Sequence, residues 1–197
     1  MTSLRTRPRD RVTRTDPELI RGIAEGDLVC LGDLYDRYAD DVWRAVRRTL
    51  GDSADVEDVV HTTFMNLPRI APSYDGRAEC AGWLYGIAVR HALRHGRGAS
   101  RFRRMLQTLA QVVTARAGSD PERRASHHED AAIFERALAG LSEKKRAIFV
   151  LLELEGLSSE EAAKALEIPA ATVRTRLLHA RRELHAALER ATREDKP

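Results

Sequence analysis

The sequence is poor in cysteine, in aromatic residues and in long apolar runs. Its 197 residues include two cysteines and 5% aromatic residues. Cys30 and Cys80 are too few for a disulfide scaffold or a cysteine-based zinc site. The longest apolar run, residues 147–152, is far too short to span a bilayer, and no apolar segment of a secretory signal follows the arginine-rich start. We therefore expect a reduced, cytoplasmic protein without membrane insertion.

Charge is abundant, and it is segregated along the chain. Apolar residues make up 43% and charged residues 32%, with a formal net charge of +3, a composition that suits a soluble helical protein. Arginines cluster over residues 5–14, 90–104 and 174–182, whereas an acidic patch occupies residues 52–58. This segregation predicts two kinds of partner, a polyanion and a basic protein surface. Taken singly, each cluster could also be a solvated helix face.

Apolar residues recur at three- and four-residue steps in each long segment, which predicts amphipathic helices. Asp16, Pro17 and Glu18 predict the start of the first helix, with Asp16 as its cap. Further helices are predicted over residues 31–46 and on to Gly51, 56–67 and on to Pro68, 83–93 with an end near Gly96 and Gly98, 131–138, and 142–154. No strand pattern of convincing length is present, so the predicted fold class is all-α.

The segment LSSEEAAKALEIPAATVRTRLLHARRE, residues 157–183, carries the most informative pattern. Ser158 and Glu161 form the Ser-x-x-Glu capping box of a short helix, and Pro169 suits the first turn of the next helix. Val173 and Leu177, at i and i+4, face inward together and leave threonines and arginines pointing outward. This is the helix-turn-helix arrangement, in which the second helix enters a major groove of DNA. An ordinary amphipathic hairpin with a solvated charged face is the alternative.

These elements predict two small helical domains joined by a flexible linker, with the helix-turn-helix in the C-terminal domain. We predict a flexible basic tail over residues 1–15, an N-terminal domain over 16–104, a linker over 105–128 and a C-terminal domain over 129–192.

The histidines raise the competing possibility of a metalloenzyme. His91 and His95 stand at i and i+4, and His127 and His128 precede two acidic residues. However, the HALRH segment lacks the Glu of an HExxH site, no third ligand has a useful spacing, and neighbouring arginines would repel a cation. We therefore expect no metal site and no metal catalysis.

Read in order, the segments resemble the extracytoplasmic-function (ECF, group IV) sigma factors of the bacterial sigma-70 family. ALAGLSEKKRAIFVLLELEGLSSEEAAKALEIPAATVRTRLLHARREL is similar to domain four over its whole length. LYDRYADDVW, GDSADVEDVVHTTFMNL and GWLYGIAVRHALRH are similar to domain two, in the right order and spacing. The resemblance covers residues 17–190. It implies a non-enzymatic subunit, without a cofactor, that binds core RNA polymerase and directs promoter-specific initiation by recognising the −35 and −10 elements and melting DNA.

The resemblance also assigns residues to three surfaces. Those for the −35 element are Thr172, Arg174, Thr175, Arg176, Leu178, His179, Arg181 and Arg182, of which Arg176, Arg181 and Arg182 lie nearer the phosphates. Those for the −10 element and melting are Trp83, Arg90, His91, Arg94 and Arg97. Those for polymerase docking are Asp55, Asp58, His61, Thr62 and Phe64. Trp83 also fits a core position, since it stands at helical spacing with apolar neighbours. Core RNA polymerase, promoter DNA and an anti-sigma factor are the implied partners.

Some positions depart from the family pattern, and they leave the promoter preference open. Glu167 stands in a turn where Gly is common, and a left-handed conformation there would cost about 1–2 kcal/mol. The other departures are His179 in place of Arg, Arg90 and Arg94 in place of Asn and Asp, and His61 and Thr62 in place of Gln and Glu. The rival function is an autonomous helix-turn-helix regulator, which needs a dimer surface or a ligand pocket. No sustained heptad supports such a dimer.

Overall fold

The computed structural model of the chain describes residues 14–51, 53–77, 79–110 and 127–194, with side chains for all of these except 96–110, 127–130 and 192–194. Every regular element in these residues is helical. The helices are α1 (Asp16–Ala24), α2 (Leu28–Leu50), α3 (Val56–Met65), α4 (Leu67–Ile70), α5 (Cys80–Ala110), α6 (His127–Ala139), α7 (Glu143–Phe149), α8 (Ser159–Leu166) and α9 (Ala170–Glu194). A 3-10 turn follows α4, and a π-helical turn over Val150–Leu154 continues α7. The all-α prediction is confirmed.

The N-cap of α1 lies one residue earlier than the sequence predicted. Thr15, not Asp16, is the N-cap, and the carboxylate of Glu18 accepts hydrogen bonds from the Thr15 backbone N–H at 2.7 Å and from its hydroxyl at 2.8 Å. Asp16 is free to accept a hydrogen bond from the Tyr38 hydroxyl at 2.6 Å. This contact joins α1 to α2, which only the tertiary structure could reveal.

Helix α2 forms the central support of the N-terminal domain, which we define as α1–α5. The Asp27 side chain caps it by accepting a hydrogen bond from the Val29 backbone N–H at 2.8 Å. Its buried stripe includes Leu34, Val42 and Val46, all fully shielded from solvent. Gly51 ends the helix with a φ of 76°, as the sequence predicted.

The third predicted helix is divided in two. Helix α3 ends at Met65, and the short helix α4 begins at Leu67, with Pro68 in its first turn. Proline has no N–H to donate and fits there without losing a hydrogen bond, so it starts a new turn instead of ending the old helix.

Helix α5 is much longer than predicted. It runs from Cys80 to Ala110, through Gly96 and Gly98, where an end was expected. A glycine inside a helix costs about 1 kcal/mol relative to alanine, which good helix formers around it can offset. The following arginines, Met105 and Leu106 are such residues, and no proline interrupts them. Residues 105–110 of the predicted linker therefore belong to α5 and residues 127–128 to α6, while residues 111–126 lie outside the described residues.

The C-terminal domain, α6–α9, packs directly against the N-terminal domain. Its buried side chains and those of the N-terminal domain form one contiguous apolar cluster. Helix α8 lies on α5, and α7 contacts both α2 and α5. Arg48 Nη1 of α2 lies 3.3 Å from Glu155 Oε1, the residue after the π-helical turn. Burial raises the pKa of Glu155, and Arg48 opposes that shift. The sequence predicted the two domains but not this closed arrangement.

Candidate nucleic-acid interface

The helix-turn-helix begins with the capping box that the sequence predicted. The Ser158 hydroxyl oxygen accepts a hydrogen bond from the Glu161 backbone N–H at 3.2 Å, and the Glu161 carboxylate accepts one from the Ser158 backbone N–H at 2.8 Å. That hydrogen bond and the one that the carboxylate accepts from the Ser158 hydroxyl at 2.7 Å lower the pKa of Glu161. Two backbone N–H groups at the beginning of α8, those of Ser158 and Glu161, are thereby satisfied.

The turn between the two helices depends on an unusual backbone conformation. Glu167 has φ 56° and ψ 44°, in the left-handed region, and is the only residue other than glycine with a positive φ among the described residues. The Ile168 N–H donates to the Ala163 carbonyl at 3.1 Å, which closes the end of α8. Pro169 lies just before α9, and its carbonyl accepts from the Thr172 and Val173 N–H groups at 2.9 and 3.1 Å. It therefore precedes the first turn instead of lying in it.

Helix α9 presents one apolar and one polar face. Val173, Leu177, Ala180 and Leu184 are buried against the rest of the domain. The opposite face is exposed and carries Arg174, Thr175, Leu178, His179, Arg181 and Arg182. Thr172 and Arg176 are half-buried at its edge. The face predicted to read the −35 element is thus continuous and accessible over nearly three turns.

Two carboxylates orient arginines of this face. Arg174 Nη1 lies 3.3 Å from Glu160 Oε1 of α8, and Arg181 donates to Glu153 Oε1 from Nη2 at 2.5 Å and from Nε at 3.1 Å. Exposed ion pairs of this kind contribute only about 0–1 kcal/mol. A phosphate or a base edge can therefore replace the carboxylates without a large loss of free energy.

The arginines predicted for the −10 element lie together on α5. Arg90 and Arg94 are one turn apart, and both approach the carboxylate of Glu167 in the other domain. Arg94 is well exposed, with 59% of its side-chain surface accessible, whereas Arg90 is only 21% accessible. The side chain of Arg97 lies outside the described residues.

His91, also predicted for the −10 element, points instead into the N-terminal domain. Its Nδ1 lies 3.2 Å from the Thr63 hydroxyl, which itself donates to the Val59 carbonyl at 2.7 Å. Burial lowers the pKa of His91, and the nearby Arg90 and Arg94 lower it further. The residue connects α5 to α3 and is half-buried. His95 lies elsewhere, with its Nδ1 3.7 Å from Asp55 Oδ2.

Trp83 combines the two expectations that the sequence raised for it. It is half-buried against the core, and its ring lies 5.0 Å from that of Tyr74, centroid to centroid. Its remaining surface lines a cavity of about 190 Å³, which Leu157 and Ala165 of the C-terminal domain close from the other side. Trp83 is thus a packing residue with one face on a cavity between the domains.

Three of the predicted docking residues share one exposed face of α3. Asp58, His61 and Thr62 are exposed, and they share this face with Met65, which is 63% exposed. Asp55 is half-buried and accepts a hydrogen bond from the Ser53 hydroxyl at 2.9 Å. The face is acidic at its start and apolar at its end.

Phe64 does not lie on this face, contrary to the expectation. It is 3% exposed, because its position on α3 turns it toward the core with Val60, and its ring packs on Tyr35 at 4.8 Å between centroids. Tyr35 itself is 44% exposed. Sequence reasoning missed Tyr35 as a surface residue because it recurs in the apolar pattern of α2, and it missed Met65 because an apolar side chain on an exposed helix face does not belong to that pattern. Solvent exposure was the missing information.

Metal-ligand clusters and membrane-spanning helices are both absent from the described residues. In those ranges no three His, Cys, Asp or Glu side chains come together as metal ligands. None of the helices there is long and apolar enough to cross a membrane.

Comparison with known proteins supports the functional interpretation of both domains. The profile of the family Sigma-70 region 2 matches residues 34–102, and that of Sigma-70, region 4, matches residues 131–184. The first match covers most of α2 to α5, and the second covers α6 to the middle of α9.

Relatives match over nearly the whole chain. The ECF RNA polymerase sigma-E factor of Salmonella typhimurium is 32% identical over 176 residues, which cover 85% of this chain and 91% of that protein. The structure of CnrH in complex with the cytosolic domain of CnrY has a TM-score of 0.60 and 25% identity, over 88% of this chain and 97% of CnrH. The sigma factor RpoE, in complex with the anti-sigma factor NepR from Bartonella quintana, has a TM-score of 0.59 and 21% identity, over 80% and 96% of the two chains. With both sigma regions matched in order and a relative aligned along most of its length, the chain belongs to the ECF sigma factors of the sigma-70 family, which direct promoter-specific transcription.

Proposed function

We propose that this sigma factor binds core RNA polymerase through α3, the −35 element through α9 and the −10 element through α5. The observation that carries the proposal is the exposed arginine-bearing face of α9, held outward by the buried Val173, Leu177 and Leu184. Cations that replace phosphate counterions and forked donors for base edges are what DNA binding requires.

On the −35 element, we assign base contacts to Arg174, Thr175, Leu178 and His179. They occupy the first half of α9, the end that a helix-turn-helix inserts into the groove. Phosphate contacts fall to Arg176, Arg181 and Arg182, with Thr172 at the beginning of the helix. Before DNA arrives, Glu160 pairs with Arg174 and Glu153 pairs with Arg181.

On the −10 element, we assign backbone contacts to Arg90 and Arg94, with Arg97 continuing the same helix. Two cations one turn apart can follow adjacent phosphates of a separated strand. Trp83 offers a partly exposed ring on which an unstacked base can lie. His91 acts as a positioning residue, because its hydrogen bond to Thr63 holds α5 on α3.

For polymerase docking, we assign the exposed face of α3, with Asp58, His61 and Thr62, together with Met65. Acidic residues beside an apolar side chain complement a basic, partly apolar helix of the partner. Asp55 lies at the edge of this surface, and Phe64 supports it from below.

The sigma factors are not an enzyme family, and we infer that nucleotide addition is carried out entirely by the polymerase. Since bacterial core polymerase works in the cytoplasm, we place this protein there. An anti-sigma factor is the expected regulatory partner, as the complexes of CnrH and RpoE suggest by analogy.

The experiment is transcription from a library of promoter fragments by bacterial core polymerase, with and without the protein. Specific initiation in its presence is the expected result, and the selected fragments reveal both elements. The R174A/H179A variant should lose selection at −35, whereas E189Q, on an exposed part of α9 outside the assigned face, should not. Tight duplex binding by the protein alone, without initiation by any core enzyme, would instead support the autonomous regulator.

A further inference from the structure

The helix-turn-helix rests on the helix that carries the −10 residues. Helix α8 packs on α5, and the contact is close because α5 offers Gly82 and Gly86 to Leu157 and Ala165. Helix α9 packs on α8 in turn. Neighbouring helix axes are about 8–10 Å apart, so the two proposed DNA-reading helices are separated by about 20 Å.

A promoter separates its two elements by far more than this. The elements are named for positions about 35 and 10 base pairs upstream of the start, so their centres are about 85 Å apart at 3.4 Å per base pair. The closed arrangement cannot reach both elements at once. The contacts between α5 and α8 must therefore break before the protein can perform its proposed function.

Ion pairs join the two domains near the C-terminal end of α8. The Glu167 carboxylate accepts hydrogen bonds from Arg90 Nη1 and from Arg94 Nη2, the latter at 3.5 Å. On the same side, Lys164 Nζ donates to Asp75 Oδ2 at 2.6 Å. The left-handed turn at the end of α8 directs Glu167 toward α5, so the residue that departs from the family pattern is the one that makes the contact.

A carboxylate between two guanidinium groups resembles a bound phosphate in charge and in hydrogen bonding. We propose that Glu167 is an intramolecular latch, which holds the free protein closed and occupies the arginines that would otherwise bind the −10 strand. The inference rests on the proposed function of Arg90 and Arg94. DNA phosphates and Glu167 then compete for the same two cations.

Two features of the ion pairs between the domains favour their separation. Arg90 Nε is buried there without a hydrogen-bond partner, and opening returns this donor to water or to a phosphate. Arg94 and Glu167 remain more than half exposed, which keeps their ion pair weak and sensitive to salt. Breaking these ion pairs therefore costs polymerase or promoter DNA little free energy, beyond what separating the apolar contacts between the domains requires.

The test replaces Glu167 by Gln in the full chain, which removes the charge and keeps the side-chain length and the backbone conformation. The matched control is E189Q, in the same domain, because Glu189 pairs with His185 within α9, beyond the residues assigned to DNA. Spin labels on E57C and A186C, both at exposed positions in different domains, report the distance between the domains. Both native cysteines are buried, and burial raises the pKa of Cys80 to about 12, so they react slowly with the label.

We expect E167Q to increase the open population about threefold to tenfold, as the loss of two half-exposed ion pairs implies. K164Q should act in the same direction, and E189Q should match the wild type. Raising the salt concentration should open the wild type and change E167Q less. A distance distribution of E167Q identical to that of the wild type overturns the latch.

A second readout tests the competition with DNA. The affinity of the protein for a fluorescent single strand of thymidines should rise about threefold to tenfold in E167Q and stay unchanged in E189Q. An open E167Q protein with unchanged affinity overturns the claim that the latch covers the DNA-binding arginines.

Promoter-specific initiation with core polymerase distinguishes a failure of the latch from a failure of the proposed function. If initiation occurs but E167Q stays closed, only the latch fails. If E167Q opens and binds the strand but no core enzyme initiates, only the proposed function fails.

Discussion

Gly86 of α5 and Ala165 of α8 approach so closely that a Cβ on Gly86 would lie 2.4 Å from the Cβ of Ala165. Carbon atoms in contact are normally about 3.5–4.0 Å apart. Neither atom is at the end of a flexible side chain, so no rotamer change can relieve the overlap. The closed arrangement of the two domains therefore depends on the absence of a side chain at residue 86.

We predict that Gly86→Ala opens the protein. The added methyl group forces α8 away from α5, while the helix itself gains about 0.5–1 kcal/mol from the replacement of glycine. Small-angle scattering should show a larger radius of gyration at unchanged helix content. The matched control is Gly32→Ala, a helical and exposed site with no atom within 4 Å of the added Cβ, which should leave the radius unchanged.

A second substitution, at Ala165, tests whether the added methyl group acts through its contact with that residue. The same Cβ on Gly86 would lie 3.6 Å from the Ala165 Cα, an ordinary contact distance. The double variant G86A/A165G should therefore close again. An open double variant would show that the methyl group acts through something other than the contact with Ala165.

We predict that Ser158→Ala lowers the free energy of unfolding by about 1 kcal/mol, within the range of about 0.5–2 found for helix caps. The substitution removes the acceptor for the Glu161 N–H and one donor to the Glu161 carboxylate. Urea unfolding followed by circular dichroism measures the change. Ser159→Ala, one residue later in the first turn of α8, should have little effect, and equal losses in both variants would argue against the capping box.

The local parts of the fold were predictable because their signals lie within one helix or one turn. The cap at Ser158, the end of α2 at Gly51 and the inward face at Val173 and Leu177 each depend on residues three or four apart. In the same way, the left-handed conformation suspected for Glu167 follows from its place at the end of α8.

Other features depend on partners distant in sequence, and the pattern alone could not give them. Thr15 rather than Asp16 caps α1, since Asp16 bonds to Tyr38, twenty-two residues away. Phe64 stands among the docking residues in the sequence, yet the angle of α3 on the core buries it. The contact of Glu167 with Arg90 joins two domains, and no spacing rule within either domain indicates it.

The burial of His91 predicts a pH dependence of stability. Burial and the nearby Arg90, Arg94 and Arg69 lower its pKa in the folded protein from the usual 6.5. Between these two pKa values the unfolded chain binds the proton more readily than the folded one. The stability contributed by neutral His91 is therefore complete above about pH 6.5, and it is lost as the pH falls through the folded-state pKa.

Denaturant unfolding at pH 7.5 and 5.5 measures this dependence. The His91→Gln variant should lose less stability than the wild type on acidification, because its amide can still meet Thr63 but does not titrate. His61→Gln, at an exposed position on α3, is the control and should keep the wild-type dependence. If His91→Gln and the wild type have parallel pH profiles, His91 is not the group responsible.

The two kinds of arginine on α9 should differ in how they affect promoter choice. We predict that Arg174→Ala, in holoenzyme with core polymerase, reduces discrimination at one base pair of the −35 element by about 1–3 kcal/mol, because a forked donor to a base edge is lost. Arg182→Ala should instead weaken all sequences alike and reduce the slope of log affinity against log salt by about 1, as expected for one lost phosphate contact. Competition among promoter variants at two salt concentrations measures both quantities.

Since both residues are exposed on the same helix, a loss of folding would affect the two variants alike. A uniform loss in Arg174→Ala, with selectivity unchanged, would move Arg174 from the base edges to the phosphates.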